Sequence, residues 1–169
     1  MSVDFKKYIT DTKDFPAKGI IFRDISPLLK EQFSNVIDSM ADLYNAKEWE
    51  SIDYISGIES RGFIFASAIA YKMNKGFVMI RKSGKLPNPG ASIGYQLEYG
   101  DAVIEMHKGK GNMMLVDDVL ATGGTLTAAA KLAKTAGYEV GSMVVLLDLN
   151  IVKGFKVEDI VCRSLINYI

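Results

Sequence analysis

The sequence predicts an α/β protein built on a mainly parallel sheet flanked by helices. Short apolar runs without polar alternation, such as Met113–Val116, are typical of strands buried on both faces. These runs alternate with segments of helical periodicity, which favours parallel pairing through right-handed crossovers. The chain has 169 residues, 49% of them hydrophobic, which is enough for one substantial core. We therefore expect a single domain over residues 1–169.

The first half of the chain predicts two helices and two strands. Apolar residues recur at helical spacing from Glu31 to Lys47, which indicates an amphipathic helix. Ile52–Ser56 follows as a strand, and the Ala-rich segment Phe63–Met73 follows as a second helix. Gly76–Ile80 is apolar and short, so it predicts a second buried strand.

The second half continues the alternation. Asn112–Val116 predicts a third strand, Leu126–Ala136 a helix, and Val140–Leu147 a fourth strand. Gly137 stands where a helix stop is expected. Cys162 is the only cysteine, which excludes an internal disulfide, and its apolar neighbours favour packing in a core strand over chemistry.

One region interrupts this pattern. Lys82–Gly100 contains six glycines and prolines, too many for a core element, and predicts a long mobile loop. The alternating segment Ala102–His107 then suits the returning arm of a hairpin. Because long loops inside compact domains often cover a site, we expect a mobile hairpin lid over about residues 82–107.

The charge balance and the N-terminus exclude several classes of function. Twenty basic and twenty acidic residues give a formal charge of zero, so no global field attracts nucleic acid or an anionic membrane. The N-terminus lacks the apolar core of a signal peptide, and the apolar runs are shorter than a membrane span. We expect a cytoplasmic protein with neither nucleic acid nor membrane as a partner.

The most informative segment is the strand end that leads into a loop rich in glycine and threonine. Its small residues let the backbone approach an anion, and the N-terminus of the following helix adds partial positive charge. Two adjacent carboxylates accept hydrogen bonds from a vicinal diol, so the segment predicts a ribose and phosphate site. The patterns GxxxxGK[ST] and GxGxxG do not occur, and an ordinary tight loop after an acidic strand end is the alternative. The candidate residues are Asp117, Asp118, Ala121, Thr122, Gly123, Gly124 and Thr125.

A second anion loop follows the first predicted strand. Arg61 supplies a planar, permanently charged fork, and the neighbouring glycines allow close approach of the backbone. A surface ion pair between Arg61 and Glu59 is the alternative. A third, cationic cluster closes the strand Gly76–Ile80, and in it Lys82 and Lys85 are the preferred phosphate contacts. The candidates in these two segments are Glu59, Ser60, Arg61, Arg81, Lys82 and Lys85.

These motifs resemble those of the type I phosphoribosyltransferases, and most closely those of the adenine phosphoribosyltransferases. The strand-loop segment resembles the motif that binds 5-phosphoribosyl 1-pyrophosphate (PRPP). The resemblance covers nearly the whole chain, from about Phe15 to Leu149, and the motifs follow in the order of the family. They are Phe22–Pro27, Ser56–Phe63, Arg81–Pro87, Leu97–Gly100 and Asp117–Thr125.

The resemblance implies transfer of 5-phosphoribosyl from PRPP to adenine, which gives AMP and pyrophosphate in purine salvage. It implies the type I fold with a small N-terminal hood over about residues 1–30. The paired acids would hold the ribose hydroxyls, and the glycine and threonine loop would hold the 5-phosphate. The loop at Glu59–Arg61 would bind pyrophosphate, and in the family the peptide at the position of Glu59 and Ser60 is often cis. Arg81 would reach the same pyrophosphate or act across a dimer interface.

The resemblance also implies how adenine binds and reacts. Backbone groups near Ile21 and Arg23 would read the edge of the base, while Phe22 and Val119 would cover its two faces. These four residues form the expected adenine site, and two further residues belong to the lid. Glu98 would remove the proton from the purine, and Tyr99 would seal the site beside it. Arg61 would act with Lys82 and Lys85 on the departing charge, and Mg²⁺ would bind mainly through PRPP and pyrophosphate without direct protein ligands. His107 is expected to be an exposed or packed histidine.

Two alternatives stay open at the level of sequence. Specificity for xanthine or for hypoxanthine and guanine is the nearer one, and the segment Phe22–Asp24 would discriminate it. A non-catalytic regulator that senses PRPP is the more distant one, and it lacks an added nucleic-acid surface. A homodimer is expected by resemblance and because it is the commonest symmetric assembly.

Overall fold

The computed structural model describes residues 3–97 and 100–168, and of Leu97 only the backbone. Contacts group the chain into two compact units, one ending at Ser39 and the other beginning at Met40. A single domain with an N-terminal hood and a mobile lid stays a prediction.

The first unit contains a small antiparallel ribbon. A short 3₁₀-helix over Phe5–Tyr8 precedes β1 (Thr10–Lys13) and β2 (Ile21–Asp24), which pair from Thr10 and Asp24 to Lys13 and Ile21. β1 is exposed along its whole length. Because neither strand carries a buried apolar face, the sequence pattern gave no indication of this ribbon.

The predicted helix Glu31–Lys47 is wrong at both ends. The structure has α1 at Ser26–Ala41 and a separate α2 at Ala46–Glu50. α1 begins earlier because Asp24 Oδ1 accepts hydrogen bonds from the backbone N–H and the hydroxyl of Ser26 at 2.9 and 2.6 Å. α2 begins anew because Asn45 and Glu48 accept each other's backbone N–H in a capping box.

The second unit contains an eight-stranded sheet within the described residues. Its central strands are parallel, as predicted, and antiparallel strands flank them on both edges. The spatial order is β5-β6-β4-β3-β7-β8-β10-β9. The strands are β3 (Tyr54–Ile58), β4 (Gly76–Lys82), β5 (Ala91–Leu97), β6 (Gly100–Met106), β7 (Asn112–Leu120), β8 (Glu139–Asp148), β9 (Lys156–Val157) and β10 (Ile160–Asn167).

Two further helices pack against this sheet. α3 (Gly62–Lys72) contacts β3 and β7, and α4 (Gly124–Ala136) contacts β5 and other strands. α4 ends at Gly137, whose φ of 101° confirms the predicted helix stop. The run Met113–Val116 is fully buried, as expected for a central strand. Cys162 lies in β10, where burial raises the pKa of its thiol to about 12, so the residue packs as a neutral side chain.

The prediction of a loop throughout Lys82–Gly100 is wrong for the second half of this segment. β5 (Ala91–Leu97) pairs antiparallel with β6 from Ala91 and Met106 to Leu97 and Gly100. The breakers are concentrated before Ala91, and Gly94 is accommodated inside the strand. The predicted hairpin is confirmed, with β6 as its returning arm, and His107 is exposed just after β6.

No helix of the described residues is both long enough and apolar enough to cross a membrane.

Candidate active site

A cavity of about 400 Å³ lies where β3, β4 and β7 reach their carboxyl ends. This is the edge of an open parallel sheet at which ligands bind. Three segments from different parts of the sequence line most of it, which brings the two predicted anion loops to one place. The lining residues are Ile58, Glu59, Ser60, Arg61, Lys82, Tyr95, Asp117, Asp118, Val119, Leu120, Ala121, Thr122, Gly123, Gly124, Thr125 and Leu126.

The paired acids lie inside β7, which continues to Leu120 instead of ending at Val116. Asp117 and Asp118 are only 8% and 7% exposed. Asp117 Oδ1 accepts the backbone N–H of Asp118 at 2.9 Å. Arg61 Nη2 lies 2.6 Å from Asp118 Oδ2, so Arg61 pairs with this acid and not with Glu59 as the alternative had it. The folded protein therefore holds a guanidinium and a carboxylate in fixed positions at the cavity before any ligand binds.

Burial, and then the negative charge of Asp118, raise the pKa of Asp117 well above its usual range. The folded protein therefore keeps the Asp117 proton at pH values at which the unfolded chain has released it. Below the pKa that Asp117 has in the unfolded chain, this group costs the folded protein no stability. As the pH rises from that value to the higher pKa of the folded state, the free energy of unfolding falls. A carboxyl that weakens the fold in this way is typical of a functional group.

Asp117→Asn is expected to make the protein more stable at pH 7 and less active. The amide oxygen can still accept the Asp118 N–H, while the ionisation that opposes folding is removed. Asparagine replaces one acceptor oxygen by an NH₂ group, and a ribose hydroxyl left without its acceptor costs about 1–3 kcal/mol, which lowers kcat/KM for PRPP roughly 5- to 100-fold. Thermal unfolding between pH 5 and 8 with steady-state kinetics checks both effects. A variant less stable than the wild type at pH 7 would contradict the account.

The loop after β7 is shaped by Gly123, which has a φ of 82°. A Cβ built on this residue would lie 2.1 Å from Cε2 of Phe155, so the ring packs directly on the glycine. The Gly123 carbonyl accepts the N–H and the hydroxyl of Thr127 at 3.0 and 2.9 Å and thereby opens α4. The first N–H groups of a 13-residue helix consequently lie at the cavity, where they favour an anion.

Gly62 brings the two anion loops together. A Cβ on this first residue of α3 would lie 2.9 Å from the Val116 carbonyl oxygen and 3.0 Å from Asp117 Oδ1. A larger residue would push α3 away from β7. Because Arg61 directly precedes Gly62, this close packing sets the distance between Arg61 and the paired acids.

Glu59 organises the predicted cationic cluster. Its Oε1 lies 2.9 Å from Lys85 Nζ, and its Oε2 accepts the Lys82 backbone N–H at 2.9 Å and the Arg81 Nε–H at 3.4 Å. Burial acts to raise the pKa of Glu59, but these donors outweigh it and lower the pKa to about 2. Glu59 is therefore ionised at neutral pH. The peptide between Glu59 and Ser60 is cis.

The phosphoribosyl transferase domain family matches residues 28–167 of the chain. The adenine phosphoribosyltransferase of Hydrogenovibrio crunogenus is 51% identical over 163 residues, which cover 96% of this chain and 95% of that protein. The chain belongs to the adenine phosphoribosyltransferases.

Other members of the family are similar to this chain over all or nearly all of their length. The adenine phosphoribosyltransferase of Bdellovibrio bacteriovorus is 48% identical, with 98% of this chain and all of that protein covered. The Rhodothermus marinus adenine phosphoribosyltransferase structure has a TM-score of 0.85 at 35% identity, covering 97% and 96% of the two chains. The Giardia lamblia APRTase complexed with 9-deazaadenine has the same TM-score and identity, covering 99% and 98%. The predicted family and the type I phosphoribosyltransferase fold are confirmed.

Other residues predicted for adenine phosphoribosyltransferase chemistry are placed as follows. Val119 lines the cavity with Lys82, whereas Arg81 and Lys85 do not line it and contact Glu59 instead. The predicted lid residues Glu98 and Tyr99 lie outside the described residues.

Three of the four residues predicted for the adenine site, Ile21, Phe22 and Arg23, lie on β2 in the first unit. Ile21 is 45% exposed. The ring centroids of Phe22 and Phe15 lie 5.2 Å apart, and the two rings pack edge to face. Arg23 Nη1 donates to Asp11 Oδ2 on the neighbouring strand. Contacts of these residues with adenine stay a prediction.

Sequence reasoning missed Tyr95 and the apolar residues Ile58, Leu120 and Leu126 of the cavity wall. Tyr95 was counted within the loop, and alternation along Ala91–Leu97 is the signal that would have placed it on a strand. Leu120 and Leu126 flank the glycine loop in sequence, and both are buried in the cavity wall.

Phosphoribosyltransferases as a family are generally Mg²⁺-dependent. Carboxylate oxygens are preferred ligands of this ion, and the paired acids Asp117 and Asp118 bring buried carboxylates to the cavity. No group of three or more His, Cys, Asp or Glu side chains within residues 3–97 and 100–168 is placed to hold a metal. The donor set fits an ion whose coordination is completed by substrate oxygens.

Proposed function

We propose that the protein transfers the 5-phosphoribosyl group of PRPP to adenine and releases AMP and pyrophosphate, the activity named by its family. The observation that carries this proposal is the cavity itself. It combines a buried pair of acids, a glycine loop that opens a helix, and Arg61 at ion-pair distance from Asp118. This combination suits a sugar with phosphate groups at both ends.

Each part of PRPP has matching groups in the cavity. Asp117 and Asp118 accept hydrogen bonds from the ribose hydroxyls, and the N–H groups from Gly123 to Thr125 bind the 5-phosphate. Arg61 and Lys82 bind the pyrophosphate, which carries the negative charge that develops on departure. Arg81 and Lys85 act indirectly, by holding Glu59 and with it the Lys82 backbone. When bound, Mg²⁺ supplies further charge stabilisation to the pyrophosphate.

Adenine is selected by backbone groups of the hood in this proposal. A carbonyl near Ile21 or Arg23 accepts from the exocyclic amine, and an N–H donates to a ring nitrogen. Hypoxanthine and guanine present the opposite polarity and leave these groups unpaired, which costs affinity. Phe22 supplies an aromatic face for the base, and Val119 supplies an apolar side chain in the cavity wall. The Giardia lamblia relative complexed with 9-deazaadenine and the Saccharomyces cerevisiae relative complexed with adenine support a purine of this kind.

Glu98 is the proposed general base, and Tyr99 seals the site beside it. The described part of the hairpin, β5 and β6, lies against the phosphate loop. A Cβ on Gly124 would be only 3.4 Å from the Gln96 carbonyl oxygen. A hairpin in this position excludes water, which would otherwise hydrolyse PRPP.

Mixing the purified protein with PRPP, adenine and Mg²⁺ is expected to yield AMP and pyrophosphate in equal amounts. Glu98→Gln is expected to lower kcat about 100-fold, since a positioned general base contributes about 10²- to 10⁴-fold. Glu139→Gln, an exposed glutamate at the far end of β8, is the matched control. A Glu98→Gln rate equal to the wild type would remove this residue as the base. PRPP binding without any AMP would favour the regulator.

A homodimer and a cytoplasmic location stay predictions. Support for the homodimer comes from an exposed apolar face on α3 and β4. Ile64, Tyr71, Phe77 and Met79 are between 37% and 91% exposed. Several large apolar side chains exposed on two contacting elements are unusual on a monomer, and a second copy of the chain would cover them.

A further inference from the structure

Glu105 is a buried carboxylate that the proposed reaction does not use directly. It lies on β6, is 7% exposed, and does not line the cavity. No cation among the described residues forms an ion pair with it. A buried carboxylate without such a partner is costly unless hydrogen bonds satisfy it. Its hydrogen-bond donors therefore indicate its role.

Both donors belong to the turn that follows β4. Ser83 Oγ donates to Glu105 Oε1 at 2.8 Å. The Gly84 backbone N–H is shared between the two carboxylate oxygens, at 3.2 Å from Oε2 and 3.4 Å from Oε1. Gly84 has a φ of 79°, a conformation that side chains rarely adopt. Glu105 thus holds a turn whose backbone is not held by regular secondary structure.

The remaining backbone N–H groups of this turn are also satisfied. Ser83 N–H donates to the Val103 carbonyl at 2.9 Å, and Lys85 N–H donates to the Lys82 carbonyl at 3.3 Å. Lys82 N–H donates to Glu59 on the side of the cavity. Two carboxylates therefore hold this part of the chain: Glu59 accepts from Lys82 at the end of β4, and Glu105 on β6 accepts from the turn that follows.

The turn matters because it directly follows Lys82, the last residue of β4 and a cavity-lining cation that the pyrophosphate of PRPP would meet. A long exposed lysine has many conformations, and a fixed backbone reduces the entropy lost when it binds an anion. Displacing the backbone by 1 Å is enough to weaken a positioned contact.

We propose that Glu105 is a positioning residue that fixes the Ser83–Gly84 peptide so that Lys82 meets the pyrophosphate of PRPP. The inference deepens the proposed function and rests on it for the identity of the anion. It also makes β6, the returning strand of the hairpin, a structural partner of the pyrophosphate site. Glu105 acts through the turn and touches no substrate.

The test compares Glu105→Leu, Glu105→Asp and Glu105→Gln. Leucine keeps the volume and removes both acceptors. Aspartate keeps the charge but is one methylene shorter, so its carboxylate no longer reaches Gly84. Glutamine keeps the length and one acceptor oxygen. The matched control is Glu48→Leu, because Glu48 also accepts a backbone N–H, that of Asn45, and lies outside the cavity.

Steady-state kinetics and calorimetric binding of pyrophosphate with Mg²⁺ are the measurements. Glu105→Leu is expected to raise the KM for PRPP and the Kd for pyrophosphate about 10-fold or more, because hydrogen bonds to a charged group are lost. Glu105→Asp is expected to raise both about 5-fold, an intermediate loss for a shortened acceptor. Glu105→Gln restores both to within about threefold of the wild type, since it keeps one acceptor. The KM for adenine stays unchanged in all three variants.

Equal values of the PRPP KM in Glu105→Leu and in Glu48→Leu would overturn the proposal, and so would an equal loss for both substrates without rescue by glutamine. If Glu105→Leu does not fold, as judged by circular dichroism, the comparison of aspartate with glutamine decides. Failure of the proposed function is separable, because a wild type that makes no AMP still reports on Glu105 through pyrophosphate binding. A wild type that binds no pyrophosphate would overturn the inference itself.

Discussion

Replacing Gly123 with alanine is expected to lower kcat/KM for PRPP about 100-fold or more, since hydrogen bonds to a charged phosphate are each worth about 1.5–3 kcal/mol. Two causes act together. The φ of 82° is unfavourable for any residue with a Cβ, and the added atom would lie 2.1 Å from the Phe155 ring. The loop must then shift, and its N–H groups no longer converge on the 5-phosphate. PRPP titrations with the variant measure the loss.

Two further variants separate these causes. The double substitution Gly123→Ala with Phe155→Ala removes the collision and leaves only the backbone strain, so about 10-fold of the activity is expected to return, since left-handed strain alone costs roughly 1–2 kcal/mol. Gly154→Ala introduces similar strain at a φ of 63° with no atom within 4 Å, and PRPP kinetics should hardly change. An unaltered KM for PRPP in Gly123→Ala would contradict the assignment of this loop to the phosphate.

Replacing Arg61 with alanine is expected to lower kcat/KM for PRPP roughly 100- to 1,000-fold, the loss typical of one group that stabilises developing charge. Arg61 lies beside the cavity and 2.6 Å from Asp118, so its removal also leaves that acid without its ion pair. Arg61→Lys should recover only part of the activity, because an ammonium group cannot contact two oxygens in one plane. The KM for pyrophosphate in the reverse reaction should rise with both variants.

Arg163→Ala is the matched control for this prediction. Arg163 pairs with Glu48 and lies 4.2 Å from the centre of the Tyr44 ring, outside the cavity. Its loss should lower thermal stability and leave kcat and both KM values near those of the wild type. If Arg61→Ala behaved like Arg163→Ala, Arg61 would be a structural residue and not a pyrophosphate contact.

The strand-loop-helix segment around Asp117 could be predicted because its signals are local. Four consecutive apolar residues mark a buried strand, and Gly123 and Gly124 mark the loop before α4. The helix Phe63–Met73 and its neighbouring strands were placed within a few residues for the same reason. Local pattern is sufficient when burial on both faces or helical spacing decides the structure.

The ionic partners in the site could not be predicted, because they depend on tertiary packing. Arg61 pairs with Asp118 only because Gly62 lets α3 approach β7. Lys85 pairs with Glu59, which lies 26 residues earlier in the chain. Spacing in sequence gives no information on such pairs.

The packing of Phe155 on the phosphate loop could not be predicted either. Phe155 belongs to the segment between β8 and β9, yet its ring covers Gly123. The sequence around Phe155 shows neither helical nor strand periodicity, so nothing assigned it to the phosphate loop. The hairpin strand β5 was missed because the glycines and prolines just before it dominated the pattern.

The most direct test is the value of kcat/KM for adenine, hypoxanthine, guanine and xanthine, measured with saturating PRPP and Mg²⁺. We expect efficient AMP formation with adenine and values for the other bases lower by at least about 10²-fold, the discrimination available when hydrogen-bonding groups are left unpaired. Comparable turnover of hypoxanthine or xanthine would contradict the selection of adenine by the hood. No turnover of any base by a protein that still binds PRPP would contradict the enzymatic function itself.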